Sequence, residues 1–163
     1  MNTMKFICPL IVVNSIDVSR KFYEEILDQK VQFDFGENVS FESNFAIHLS
    51  THYSKLIDNK PISKGSNNFE LYFEYDNLDE LVKRLTDNHI ELVHPLREQP
   101  WRQRVIRFYD PDFHIIEVGE PMENVCFRLF NEGLEIEQIS TLTLLPVEFV
   151  NESIKRLTPK STE

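Results

Sequence analysis

Glu117 is a carboxylate in the middle of an apolar run, between Ile116 and Val118 and on the same strand face as Ile115. A bare charge there costs several kcal/mol unless it is paired, hydrogen-bonded or ligated. The run follows Asp110-Pro111-Asp112, where Pro pre-sets φ and the flanking Asp side chains can accept backbone N–H bonds, so two strands meet at a tight turn. Glu70, Tyr72 and Glu74 alternate with Leu71, Phe73 and Tyr75 in a second strand. Alternation likewise places Cys8, Leu10 and Val12 opposite Pro9, Ile11 and Val13, and His48 beside Ala46. Carboxylates, an imidazole and a thiol on one sheet face are the groups of general acid–base and divalent-metal chemistry.

The elements that must position them repeat. Phe6 to Val13 reads as a strand, Asn14-Ser15-Ile16-Asp17 caps a helix, and Val18, Phe22, Ile26 and Leu27 recur at helical spacing until Asp28-Gln29. Val31 to Phe35, Val39 to Phe41 and Phe45 to Leu49 read as strands, which completes βαβββ. A polar linker over 60–68 precedes a second set: strand Phe69 to Tyr75, helix from Asp76-Asn77-Leu78-Asp79, then strands Ile90 to Val93, Arg104 to Phe108 and His114 to Val118. Leu96 to Gln103 reads as a polar loop carrying the only Trp. Aligning Ile16 with Leu78 also aligns Asp17 with Asp79, a weak internal repeat. Such a unit covers one sheet face with its helix and leaves the other for a partner unit or a ligand.

Composition bounds the function. The chain has 163 residues, 41% hydrophobic and 27% charged, which suits an ordinary globular protein. A formal net charge of -10 with no Lys/Arg run lacks the electrostatic footprint of a nucleic-acid binder, so a small ligand or a protein partner is expected. Two distant cysteines, Cys8 and Cys126, and a short apolar start interrupted by Lys5 and Pro9 point to a reduced, cytoplasmic setting. No stretch approaches the roughly 20 apolar residues of a membrane span.

Paired βαβββ units, Phe22-Tyr23 late in the first helix, and Arg107-Phe108-Tyr109-Asp110-Pro111-Asp112 leading to Ile115-Ile116-Glu117 resemble the glyoxalase/bleomycin-resistance/dioxygenase family, the vicinal oxygen chelate superfamily, over about residues 4 to 120. The resemblance implies an α+β fold: two modules, about 4–52 and 67–120, forming a curved mixed sheet around a central cavity within a domain of residues 1–120, with a homodimer as the assembly. In metal-using members, ligands come from the first and last strands of each unit. Residue by residue, that implies Cys8, His48, Glu70 and Glu117. Such a set could take one divalent ion, Zn²⁺, Ni²⁺, Mn²⁺ or Fe²⁺, although Cys8 mixes a soft donor with hard ones and can equally be an apolar packing residue. One implied function is therefore a metal-dependent lyase, isomerase or thiol-addition enzyme on a small oxygen-rich substrate, with Glu117 or Glu70 as base. The other is metal-free binding or sequestration, as in bleomycin-resistance members, with Tyr72, Trp101 and Arg102 against the ligand and His48 and the glutamates in a hydrogen-bonded cluster.

Phe113 stands where this family usually has Gly after Asp-Pro-Asp. A bulky residue at positive φ costs on the order of 1–2 kcal/mol if the turn is kept, so a re-shaped hairpin is expected. Arg102 follows Pro100-Trp101 where relatives often carry Gly, and could clamp a carboxylate or phosphate.

Residues 121–163 form a separate object. Met122, Val125, Cys126, Leu129 and Phe130 make a helical stripe that Gly133 ends, Leu134, Ile136 and Ile139 continue, and Leu145-Pro146 opens a last helix with Phe149, Val150, Ile154 and Leu157 inward. Helix spacing invites a DNA-binding reading, but four Lys/Arg against seven Asp/Glu give phosphates little to hold. Packing on the sheet, a dimer contact or a regulatory element are the remaining roles.

Overall fold

The computed structural model describes residues 3–158 and divides into two units. Unit 1 comprises residues 1–69 with the 109–115 turn; unit 2 comprises 70–108 with 116–163. The first two and last five residues, including the end of the tail, lie outside the described residues.

Unit 1 is built from β1 (Leu10–Val13), α1 (Ile16–Ile26), β2 (Val31–Asp34), β3 (Asn38–Phe41), β4 (Ala46–Leu49) and α2 (Ser50–Leu56). Its four strands lie in the order β1-β4-β3-β2, with β1 parallel to β4 and the other pairs antiparallel. Ser15 caps α1 by accepting the Val18 N–H, and the helix buries Ser19, Phe22, Tyr23 and Ile26, one stripe at helical spacing. Ile11, Val13, Val39, Phe41 and Ile47 on the strands are buried as well. Tyr23 lies 5.0 Å from the Phe45 ring, which stacks on Phe41 at 4.5 Å. Each such side chain contributes about 1.5–3 kcal/mol of transfer free energy on burial.

Unit 2 repeats the plan with β5 (Glu70–Glu74), α3 (Leu78–Asp87), β6 (Leu92–Glu98), β7 (Arg104–Tyr109) and β8 (Ile115–Gly119), the sheet order being β5-β8-β7-β6. Both sheets are thus open and mixed, and each puts its last strand beside its first. Asn77 caps α3, whose Leu78, Leu81 and Leu85 are buried, as are Leu71, Ile106, Phe108, Ile116 and Val118 on the strands. The chain continues through α4 (Met122–Asn131), α5 (Ile136–Thr143) and α6 (Val147–Leu157), which share their own core of Val125, Cys126, Leu129, Ile139, Val150 and Ile154. Gly133, at φ +94, ends α4. No helix among the described residues is long and apolar enough to cross a membrane.

Four local expectations change. Phe6 to Pro9 is not strand: Pro9 has no N–H to donate, and β1 begins at Leu10. The polar loop is shorter than Leu96 to Gln103, because β6 runs on to Glu98. Pro95 is tolerated because β6 is an edge strand and its register shifts between His94 and Arg97, where no ladder bond is needed from Pro95. Helix α2 follows β4 without a side-chain cap or an apolar stripe, so it carries no periodic signal. The turn keeps its form: Phe113 adopts φ +64, its N–H reaches the Asp110 carbonyl at 3.1 Å, and its ring meets Tyr109 edge-on at 5.7 Å.

Candidate functional site

The Asp-Pro-Asp turn is a structural clamp within unit 1. Asp110 Oδ1 accepts the Asp112 and His114 backbone N–H groups at 2.9 and 2.8 Å, and Oδ2 accepts from the Tyr23 hydroxyl at 2.8 Å and His114 Nδ1 at 2.9 Å. Asp112 Oδ2 accepts the Asn14 N–H at 3.0 Å, and its other oxygen pairs with Lys64 at 2.5 Å. Both carboxylates are buried with a partner on every oxygen, so the motif ties the turn to α1 and to Lys64. Burial first, then the Asp110 charge, pushes the Tyr23 hydroxyl well above its ordinary pKa, keeping it a proton donor.

On the face of the first sheet that α1 leaves free, β1 offers Leu10 and Val12, β4 Ala46 and His48, and β3 Asn38 and Ser40. Cys8 lies just before β1, partly buried with a free thiol. His48 is buried and registered between Val12 and Asn38. Its Nδ1 lies 3.1 Å from the Asn38 side-chain amide, and its Nε2 lies 2.7 Å from His52 Nδ1. The pKa of His48 is lowered by burial and by His52, against an opposing pull from Glu37. The imidazole is thus held neutral, with both nitrogens occupied.

The second sheet presents charge instead. Arg107 Nε pairs with Glu70 at 3.0 Å, another guanidinium nitrogen contacts Glu117, and a third lies 3.2 Å from His94. This is the partner the buried Glu117 requires. A hydrogen-bond chain runs alongside: Trp101 Nε1 donates to Gln103 Oε1 at 2.9 Å, Gln103 Nε2 donates to the Tyr72 hydroxyl at 2.8 Å, and that hydroxyl donates to Glu74 at 2.9 Å. Gly119 makes the crossing possible, since a Cβ there would lie 2.7 Å from Gln103 Nε2 and 3.2 Å from the Tyr72 ring. Tyr72 and Trp101 remain 48% and 36% exposed, so both offer aromatic surface to a ligand. Arg102, the other substrate-facing candidate, instead pairs with Glu98 at 2.8 Å.

Of the sequence-derived candidates, Glu70 and Glu117 are brought together on Arg107, and Tyr72 is linked to Trp101 through Gln103. His48 and Cys8 lie on the other unit. Arg107, Gln103, Asn38 and His52 were not singled out as site residues. Alternation along β7 puts Arg107 on the Val105 side, a legible signal; Gln103 and His52 depend on loop and helix geometry that periodicity does not carry.

Within each unit the expected metal donors His48, Glu70 and Glu117 already have partners. His48 has a hydrogen-bond partner at each ring nitrogen, and the two glutamates pair with a guanidinium. Among the described residues no three His, Cys, Asp or Glu side chains gather as a metal site would require.

Two βαβββ modules with one shared strand order, each with a polar face opposite its helix, define the class of protein. The sequence profile of the glyoxalase-like domain matches residues 6–123, and the chain belongs to that family, within the glyoxalase/bleomycin-resistance/dioxygenase superfamily. A solved protein of unknown function from Agrobacterium tumefaciens is 42% identical, with 74% of this chain and 96% of that one covered and a TM-score of 0.67. A glyoxalase/bleomycin resistance protein/dioxygenase from Nocardioides is 19% identical over 74% and 85% of the two chains, TM-score 0.58. Lactoylglutathione lyase from Agrobacterium tumefaciens is 19% identical over 74% and 96%, TM-score 0.56. The last two likenesses are of fold. No curated protein matches the chain.

Proposed function

We propose that this glyoxalase-like protein binds a small organic molecule without a metal ion, on the polar face of its second sheet. The observation that carries the reading is Arg107: its guanidinium pairs with both Glu70 and Glu117, the two carboxylates that a metal-using relative would turn toward an ion. A fixed cation needs no reconstitution and leaves the pair as an oriented, charge-bearing floor. Tyr72 and Trp101 supply an aromatic wall, held by Gln103, and Glu74 supplies an acceptor at its edge. Partly exposed aromatic surface with a few fixed polar groups is the usual chemistry of small-molecule recognition.

Metal analysis of protein purified without added metal, and again after incubation with Ni²⁺, Zn²⁺, Mn²⁺ and Fe²⁺, tests the reading. Substoichiometric content throughout is expected. One equivalent of metal, lost in both His48→Ala and Glu117→Ala, would overturn it and restore a metal-dependent lyase with His48, Glu70, Glu117 and Cys8 as ligands.

A further inference from the structure

The three-helix tail begins where the family match ends, and its first helix reaches back to the Trp101 loop. Gln99 to Gln103 is a tight turn in which the Arg102 N–H donates to the Gln99 carbonyl and the Gln99 N–H to the Gln103 carbonyl, both at 2.8 Å. The turn holds Arg102 at φ +70, a conformation with a real cost for a side chain with a Cβ. Its carbonyl accepts from Arg128 Nη2 of α4 at 2.8 Å. Arg128 is itself anchored: Nε and Nη2 lie 3.2 and 3.1 Å from the carboxylate of Glu120, a buried residue that also binds Arg104 at 3.2 Å. Glu132, one turn further along α4, pairs with Arg128 at 3.2 Å, and Arg128 lies 3.6 Å from Glu98 at the start of the loop. Burial alone would raise the Glu120 pKa, but hydrogen bonds and charge from Arg128 and Arg104 outweigh it and hold the group below its ordinary value.

We infer that Arg128 is a positioning residue for the ligand-facing wall: the tail latches the Gln99–Gln103 loop from outside and thereby sets Trp101 and Gln103 against Tyr72. The direction follows from the order of contacts. The hydrogen bond from Arg128 to the loop goes to the Arg102 carbonyl, one residue from each of Trp101 and Gln103, and Gln103 carries the bond to Tyr72. Arg128 lies beyond residue 123, where the family match closes, so the latch falls outside the matched domain. A partner or modification that drew α4 away would loosen the wall. This inference rests on the proposed binding role of that wall, but the latch itself can be measured without metal or ligand.

Trp101 is the only tryptophan, so its fluorescence reports on the loop alone. In full-length protein, Arg128→Ala is expected to raise acrylamide quenching of Trp101 and to speed hydrogen exchange at the Gln99 and Arg102 amides about tenfold or more, the effect of losing a hydrogen bond from a charged donor. Amides within α4, α5 and α6 should exchange as in the unaltered protein. Arg128→Lys should not rescue the loop, because a single ammonium cannot bridge Glu120 and the Arg102 carbonyl together. Unchanged quenching and exchange would overturn the inference. So would loosening of loop and tail to the same degree in both variants, since Arg128 would then hold the tail and not the loop. Loop loosening in a protein that takes up one equivalent of metal would leave the latch standing and defeat the metal-free reading instead.

Discussion

The two sheets share a strand order and differ in what their last strands carry. In the first, β4 brings His48 to the free face, where burial keeps the imidazole neutral and Asn38 and His52 occupy its nitrogens. In the second, β8 brings Glu117 to the corresponding position and β7 supplies Arg107, with Glu70 on β5 completing an ionic triad. One repeated scaffold thus holds a neutral hydrogen-bonded chain and a charged cluster. The repeat fixes where a polar side chain emerges, and the neighbouring strand decides its charge state. A carboxylate beside Asn38 would be unpaired, and a neutral imidazole would leave Arg107 with only Glu70, which is half exposed.

The largest expected effect breaks the second sheet's half of this contrast. Arg107→Met leaves Glu117 buried without its cation and should cost about 3–5 kcal/mol. Chemical denaturation at neutral pH measures the loss. Adding Glu117→Met should recover most of it, because a buried ion pair replaced by apolar side chains of similar size is close to neutral. If the single variant lost under about 1 kcal/mol, the value of an exposed pair, the charged floor would not be the organising feature of that sheet.

The next effect bears on the first sheet and the turn bound to it. Tyr23→Phe removes the hydroxyl that donates to Asp110 while keeping the ring packed between Phe41 and Phe45. Asp110 retains the Asp112 N–H and both His114 donors, so the expected loss is about 1–3 kcal/mol, that of one hydrogen bond to a charged acceptor. Thermal denaturation checks it. A loss above that of Arg107→Met would reverse the ranking of the two units and make the turn the main anchor of the fold.

How much was legible in the sequence follows from what each residue depends on. The βαβββ order is written in short-range signals: Ser15 and Asn77 as caps, and strand alternation that buries Ile11, Val13 and Leu71. Glu117 was legible as a charge in need of a partner. That the partner is Arg107, two positions before Tyr109 in the quoted motif itself, depends on strand pairing, which alternation alone does not supply. Asp110 and Asp112 read only as turn formers, whereas they also bond Tyr23 of α1, Asn14 and Lys64, far away in sequence. Helix α2 was missed for want of any apolar stripe, and with it the His48–His52 contact. Arg128 was unreadable for the opposite reason: on a helix whose apolar stripe was plain, a polar-face arginine looks like any solvated one.

The smallest effect is a tilt with pH that should come from His48 in the first sheet. His48 has a folded-state pKa below its ordinary 6.5, from burial and from His52, with Glu37 pulling the other way. Asn38 and Tyr53, which also face the ring, carry no charge to offset a proton on it. Above 6.5 the imidazole is neutral folded and unfolded, and its contribution is fully present. As pH falls below 6.5 the unfolded chain takes up the proton first, so unfolding becomes more favourable until the folded value is passed. The slope for one group cannot exceed one proton, about 1.4 kcal/mol per pH unit. Denaturation curves between pH 7.5 and 5 should therefore show stability decreasing below about 6.5, and His48→Gln should flatten that decrease. Glu120 in the second unit is depressed below its ordinary 4.5, so the stability it confers is lost only as pH falls through that lower range. A decrease below 6.5 that survives His48→Gln would place the titration elsewhere and remove the pH distinction between the two sheets.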